Sequence, residues 1–294
     1  MHKSILCRFI GFKLMNMSKN KLTDMKILPV IVIYNSVLQE QLTYKTLLTD
    51  RRWDKFVVYD NSSNDYCSST IEDERAIYIR DKNNSGLSTA YNFAAKIALN
   101  EGYDWLLILD QDTCFSDNAY LYYTNAITDN PNVKLFAPII TLNNGSPFSP
   151  SKRTHMGMRG IIVQDGVLSL HDYMPVNSGL CVHIPDYIKC GGYNEKIHLD
   201  FSDFCFLDRF EKYNKTFCVI KLHAFQTFSN NETNVKVLLN RYDQYINDFL
   251  NYFKTKRASE YFCLILSFIK HTMALSIKTK SLCFLIHNQK IYLK

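Results

Sequence analysis

The chain has 294 residues, of which 47% are hydrophobic and 21% charged, and a formal net charge of +6. That balance supplies apolar surface for a substantial core and excludes extended disorder. Nine cysteines occur without a Cys-x-x-Cys pair or a Cys/His cluster of zinc-finger spacing, so a reducing cytosol is the simplest home.

The chain opens with Lys3, Arg8, Lys13, Lys19 and Lys21 and no acid before Asp24. Residues 1–24 read as a basic extension outside the fold, or as sequence upstream of the true start. They contain a short apolar run, Ile5 to Leu14, that is interrupted by Arg8 and Lys13 and lacks a small-residue cleavage site. A catalytic-sized unit is expected over 25–230, divided near residue 140, followed by a helical segment over 231–294.

Strand and helix signals alternate from Met25 onward. Residues 28–34 read as a strand and 36–48 as an amphipathic helix with Val37, Leu38, Leu42 and Leu47 inward. Residues 55–59 and 76–80 are the next strands. Leu87, Ala90, Tyr91, Ala94, Ala95 and Ala98 then mark one face of a helix ending near Gly102. Leu106-Leu-Ile-Leu109 is an unbroken aliphatic run of the kind buried on both faces of a parallel sheet. A helix over 118–128 and a strand over 134–140 follow. This rhythm predicts an α/β fold: a mostly parallel central sheet with helices on both faces.

Beyond residue 140 the pattern changes. Residues 143–150 are turn-rich, 157–174 look like short antiparallel strands, and 179–184 read as a strand leading into a short helix. A helix over 201–213, a strand over 217–220 and a Tyr- and Asn-rich helix over 234–253 complete this part. Residues 261–277 are apolar but carry Lys270 and His271 at their centre. A spanning helix wants about 20 apolar residues without a central charge. An in-plane amphipathic helix fits better, and a helix packed on the protein's own core is the plain alternative. The C-terminal stretch is basic, with Lys254, Lys256, Arg257, Lys270, Lys278, Lys280, Lys290 and Lys294 against Glu260. Basic ends suit a negatively charged surface, either lipid headgroups or nucleic acid.

Four polar groupings fall at the predicted strand ends: Tyr34-Asn35, Asp60-Asn-Ser-Ser63, Asn83-Asn-Ser-Gly86 and Asp110-Gln-Asp112. In a parallel sheet such ends share one edge and converge on one crevice. Asp110 and Asp112 could hold a divalent cation through oxygen ligands, and the cation a diphosphate; acids after a strand also simply turn the chain. Asp60 could accept from a pyrimidine N3–H, and Asn84 beside a close-approaching Gly86 suits a nucleotide. Each grouping alone is a common turn sequence, and their order carries the signal.

In that order the chain resembles the family 2 glycosyltransferases, which have the GT-A fold. The matching residues are the opening strand to Tyr34, Val57-Val-Tyr-Asp-Asn-Ser62, Asn84-Ser-Gly-Leu-Ser-Thr-Ala-Tyr-Asn92 and Leu109-Asp-Gln-Asp-Thr113. Asp-Gln-Asp followed by Thr is most similar to the bacterial rhamnosyltransferase branch, which acts in O-antigen and capsule assembly. The resemblance implies an inverting transferase with Mg²⁺ or Mn²⁺ as cofactor. Donor contacts would come from Tyr34, Asn35, Asp60, Asn84, Gly86 and Asp110, and metal contacts from Asp112, Asp110 and His223. It places the catalytic base at Asp203, with Asn177, Gly192 and Asp200 on the acceptor side. The helix-start acids Asp200 and Asp203 also suit plain capping of the helix. Where the branch has a Glu-Trp pair this chain has Cys205-Phe206, and Asp208 stands where an apolar residue is expected.

The implied donor is dTDP-rhamnose or another dTDP- or UDP-sugar, such as UDP-galactofuranose or a UDP-hexose. The implied acceptor is a polyprenyl-diphosphate-linked glycan, with the enzyme peripheral on the inner face of the cell membrane. A non-catalytic nucleotide-sugar or nucleic-acid binder is the rival class. The chain lacks the arginine-rich, base-stacking pattern of nucleic-acid binders, so no nucleic-acid partner is expected.

Overall fold

The computed structural model describes residues 25–64, 71–154, 157–226 and 234–292; the expected basic extension over 1–24 lies outside the described residues. Aliphatic runs form the parallel part of the sheet: β1 (Ile27–Ile33), β2 (Phe56–Asp60), β3 (Ala76–Arg80) and, after helix α1 (Leu87–Asn100), β4 (Trp105–Asp110). They lie in the order β3-β2-β1-β4, each pair parallel. Every residue of β1 and β2 is buried, the mark of strands covered on both faces.

Short β5 (Thr113–Phe115), helix α2 (Ala119–Asp129), β6 (Leu135–Leu142) and β7 (Pro147–Ser149) follow. Then come β8 (Ser151–Thr154), β9 (Gly157–Gly160), β10 (Gly166–Ser169), β11 (Tyr173–Met174) and β12 (Leu180–His183). Helices α3 (Ile184–Lys189) and α4 (Ser202–Phe210) precede the long β13 (Thr216–Gln226), and α5 (Val235–Phe253), α6 (Ala258–Thr279) and α7 (Cys283–Tyr292) end the described chain. The main sheet runs β10-β13-β6-β12-β4-β1-β2-β3, with β5 added to β13 and β7 to β6, while β11-β8-β9 form a small second sheet. β12 is antiparallel to both β4 and β6, so the sheet is mixed but mostly parallel around β1.

Strand alternation divides the core in two. On one face Leu28, Val30 and Val32 pack under Ala90, Tyr91 and Ala94 of α1 and Phe206 and Phe210 of α4. On the other, Ile31, Ile33, Leu107 and Leu109 meet Leu38, Leu47, Trp53 and the α2 residues Tyr123 and Ile127. Each such side chain contributes about 1.5–3 kcal/mol by leaving water. A third cluster joins α5 to α6 and α7 through Tyr242, Tyr245, Ile246, Phe249, Phe268 and Phe284.

Three local expectations are revised. The helix predicted over 36–48 is a 3₁₀ turn at Leu38–Glu40 and a single wide π turn at Tyr44–Leu48. Buried Thr43 donates its hydroxyl to the carbonyls of Asp110 and Thr113, which draws the chain against the end of β4 and turns Leu42 outward. The turn-rich 143–150 stretch forms a hairpin in which β7 pairs with β6. Finally, β13 extends well past Ile220, because β5 supplies an antiparallel neighbour for Ala224 to Gln226.

Candidate active site

Because β1, β2 and β4 run parallel and side by side, the residues after them meet on one edge of the sheet. The backbone stitches those ends together. Tyr34 donates its N–H to Gln111 Oε1 at 2.9 Å, and Asn35, in the left-handed region at φ 50°, donates to Ser62 Oγ at 2.7 Å. At the start of α1, Gly86 has φ 91°, and a Cβ there would lie 2.4 Å from the His198 carbonyl oxygen. Glycine is therefore required twice over, for the backbone angle and for the close approach. Leu87 N–H donates to that same carbonyl at 2.8 Å, which locks α1 to the 198–200 segment. Just upstream, burial works against the Asp81 carboxyl, but N–H groups of Ser85 and Asn83 and the Tyr59 hydroxyl outweigh it and hold the acid below its usual range.

A cavity of about 690 Å³ opens at this edge. Of the residues singled out from the sequence, Tyr34, Asn84, Gly86, Asp110 and Asp112 line it. Asn61, Gln111 and Gln226 join them, and so do Val237, Asn240, Arg241 and Gln244 of α5. The C-terminal helical segment thus contributes a wall of the cavity. The donor-side expectation for Asp60 differs in detail. Its carboxylate is fully buried behind the cavity, accepting from Ser62 N–H at 2.9 Å and from the Tyr78 hydroxyl at 2.8 Å. The neighbouring Asn61 faces the cavity instead, with a buried Oδ1 that has no partner among the described residues.

Three carboxyls come close together: Asp110 and Asp112 line the cavity, and Asp203 lies beside Asp110 without lining it. Asp110 is pushed up to about 7, first by burial and then by the charges of Asp112 and Asp203; the Tyr91 hydroxyl, 3.5 Å away, offsets part of this. Burial also raises Asp112. Asp203 rises to about 6, chiefly through burial, with the Asp200 charge adding to it; the Phe204 N–H, at 2.8 Å, pulls the other way. A group of acids that resist ionising together is a fit site for a cation, which favours all of their charged forms at once. Mg²⁺ keeps most of its waters and needs only one or two protein carboxylates.

His223 is not brought to Asp110 and Asp112. It sits on an exposed position of β13, between buried Leu222 and Ala224, and does not line the cavity. Gln226, three residues on, reaches Asp112 Oδ1 at 3.3 Å. No group of three His, Cys, Asp or Glu side chains forms a metal cluster among the described residues.

The acceptor-side residues have structural partners. Asp200 makes a two-pronged ion pair with Arg241 of α5, one arm at 2.9 Å. Asn177 is buried away from the cavity, donating to Ser202 Oγ at 3.2 Å and accepting from the Tyr193 hydroxyl at 2.6 Å. Gly192 has φ 58°, and a Cβ there would meet Asn92 Oδ1 at 2.5 Å. That same oxygen takes hydrogen bonds from Tyr187 and Tyr193, so Gly192 holds the floor behind α1.

Two acids at or near the site were not assigned from the sequence. Asp248 of α5 is buried and accepts the N–H groups of His198, Leu199 and Asp200 at 2.7, 2.8 and 3.0 Å. Asp208, the unexpected acid on α4, accepts from Tyr252 at 2.8 Å, Lys256 at 2.6 Å and Arg153 at 3.1 Å. It fastens α4 to the C-terminal helices and to the small sheet. Cys205 and Phe206, the other departures, are core residues.

Residues 30–190 match the model of Glycosyl transferase family 2. No curated protein sequence matches the chain. Among solved structures, residues 1–349 of TarS from S. aureus align with a TM-score of 0.52 at 15% identity, covering 78% of this chain and 80% of TarS 1–349. The same TarS fragment in complex with UDP-GlcNAc aligns with a TM-score of 0.52, covering 71% of this chain and 60% of that one. GalNAc-T7 with UDP, GalNAc and Mn²⁺ aligns with a TM-score of 0.52 at 13% identity over 69% of this chain. Only 44% of the GalNAc-T7 chain is spanned. At such identities the likeness concerns the fold, and it supports the GT-A architecture. With more than half of its length matched by the family model, the chain belongs to glycosyl transferase family 2.

Proposed function

We propose that the protein is an inverting, metal-dependent glycosyltransferase that moves a sugar from a nucleotide donor to a polyprenyl-diphosphate-linked glycan. In this reading the donor is dTDP-rhamnose and the product a bacterial surface polysaccharide, O-antigen or capsule. The observation that carries the enzymatic part is the meeting of Asn84, Gly86, Asp110 and Asp112 in one cavity, with Asp203 close enough for its charge to raise Asp110. The order Asp110-Gln-Asp-Thr113 supports the choice of sugar.

Asp203 is the general base and takes the proton of the acceptor hydroxyl as that oxygen attacks the anomeric carbon. One displacement at that carbon inverts its configuration. Asp112, aided by Asp110, would hold Mg²⁺ or Mn²⁺; when bound, the ion offsets charge on the departing diphosphate. Asn61 lines the cavity from the end of β2, where it would meet the nucleotide. A second reading keeps the chemistry and takes a UDP-sugar, because UDP-GlcNAc is bound by TarS and UDP accompanies GalNAc-T7.

Thermal shift against a panel of nucleotide sugars tests both. A ligand that binds the folded state raises the melting temperature in proportion to RT ln(1 + [L]/Kd). With Mn²⁺ present, dTDP-rhamnose is expected to give the largest rise, and chelation to remove it. A rise with UDP-GlcNAc or UDP-galactofuranose alone selects the second reading, and indifference to every sugar nucleotide sinks the donor assignment.

The C-terminal helices support attachment to an anionic membrane surface. Phe262, Ile265, Ile269, Met273 and Ile277 are exposed on α6, within about a third of the helix circumference, and exposed Leu282, Leu285 and Ile286 continue the apolar surface onto α7. α6 is long and apolar enough to cross a membrane. Its central Lys270, its inward Phe268 and Thr272 packed on α5, and its terminal lysines fit an in-plane helix better. Full-length protein is expected to co-sediment with phosphatidylglycerol vesicles and to lose most of that binding in an Ile269→Asp, Met273→Asp variant. Equal sedimentation of the two proteins removes this membrane contact.

A further inference from the structure

Gln226 closes β13 beside the two acids at the end of β4. Its Nε2 donates to Asp112 Oδ1 at 3.3 Å, and the side chain is near enough to the Asp110 carboxyl to favour its charged form. Its Oε1 is buried and has no partner among the described residues. An amide placed only to brace the acids would have both ends satisfied, since a buried acceptor left unpaired costs about 1–3 kcal/mol. Here the N–H end serves the acids, and the oxygen has no partner among the described residues. Turning the amide over would bring Oε1 to the carboxylates, where three oxygens repel unless a cation lies among them. With a cation present that orientation is the favourable one, because Mg²⁺ and Mn²⁺ take hard oxygen donors, side-chain amides included.

Resting on the cation reading above, we propose that Gln226 is the neutral third oxygen ligand of the ion held by Asp110 and Asp112. Its amide N–H groups serve the acids in the free site, and its Oε1 turns to the ion as the ion enters. The chain thereby uses the last residue of β13, and the exposed His223 stays outside the ligand set. A neutral third donor leaves the site with less negative charge than a third acid would. That favours an ion bound jointly with the donor diphosphate over an ion retained after the nucleotide leaves.

Mn²⁺ titrated into the full-length protein, alone and with excess UDP, gives a direct test through the electron paramagnetic resonance signal of the free ion. The wild type is expected to bind Mn²⁺ more tightly with UDP, and Asp112→Ala to lose binding. Gln226→Leu is expected to weaken Mn²⁺ by roughly tenfold or more, since even an outer-shell partner is worth about 10–100-fold in metal affinity. Gln226→Glu, which keeps an oxygen in place, is expected to bind Mn²⁺ at least as tightly as the wild type, and His223→Ala to bind it equally. Melting curves without metal establish that each variant is folded, and Gln226→Asn, whose amide is too short to reach, replaces the Leu variant if that one does not fold. Wild-type affinity in Gln226→Leu overturns the Gln226 assignment alone. Equal losses in the Leu and Glu variants also overturn it, since they mark a brace and not a ligand. Failure of the wild type to bind Mn²⁺ under either condition overturns the cation reading together with it.

Discussion

Asp203→Asn is expected to reduce transfer by roughly 10²–10⁴-fold, the range a positioned general base contributes, while the protein melts at the same temperature or higher. The two halves of that result have one cause. Asp203 follows the left-handed Phe201 at the start of α4, where burial raises its carboxyl to about 6. A carboxyl held above its ordinary value destabilises the fold when ionised, and an amide of the same shape removes that cost. The pH dependence separates a base from a cap. For a carboxyl raised in the folded state, that state binds more protons than the unfolded chain between the ordinary carboxylate value and the raised one. Stability therefore falls as pH rises through that window, up to about 6 for Asp203 and about 7 for Asp110. Activity moves the other way, since a base must be ionised: kcat/KM should climb with pH through about 6 and then level. Melting curves in chelator at about pH 5 and about pH 8, beside a pH–rate profile, measure both trends. Near-normal turnover in Asp203→Asn would remove the base from this residue, and a plain helix cap would then account for the carboxylate.

The parallel half of the sheet was legible because its strands are continuous aliphatic runs, a pattern that burial on both faces imposes. Strand ends in such a sheet share an edge, so Tyr34, Asn84, Gly86, Asp110 and Asp112 are legible from sequence as neighbours, and all five line one cavity. Local pattern failed where a distant partner decides the outcome. The helix expected over 36–48 gives way because Thr43 bonds the backbone of Asp110 and Thr113, far away in sequence. Asp60 carries the right chemistry for a base contact, yet Tyr78 on the adjacent strand takes one of its oxygens and the Ser62 N–H the other. The length of β13 depends on β5, three residues that no periodicity marks. Asp208 looked like a departure because its partners, Tyr252 of α5, Lys256 in the turn after it and Arg153 of β8, are far from it in sequence. The part of α5 in the site was hidden for the same reason. Its Tyr and Asn content reads as a helix of mixed character, and only the fold brings Arg241 to Asp200 and Gln244 to the cavity.

Asp248→Ala is expected to cost about 3–5 kcal/mol and to abolish transfer in whatever folded protein remains. One buried carboxylate satisfies three successive backbone N–H groups, those of His198, Leu199 and Asp200. Burial raises the Asp248 carboxyl, and those same N–H groups oppose the rise, so the acid is held in place by the donors it serves. A buried donor left unpaired costs about 1–3 kcal/mol, and alanine leaves three half-buried ones without a partner, which sets the loss toward the lower end of their sum. The segment they belong to joins the halves of the site: the His198 carbonyl receives Leu87 N–H at the start of α1, His198 and Leu199 line the cavity, and Asp203 begins α4 a few residues later. Releasing it therefore loosens the donor pocket and the base together. Asp248→Asn separates the backbone role from the charge. Its single oxygen can replace either Oδ1, which serves one N–H, or Oδ2, which serves two, so it should lose roughly half as much stability and retain measurable transfer. Chemical denaturation gives the stability ranking wild type, Asn, Ala. Activity measured at a temperature where all three are folded should follow the same order. An Asp248→Ala protein with wild-type stability and turnover would mean that the 198–200 segment is held by its own packing, and that α5 is a wall of the cavity without being its anchor.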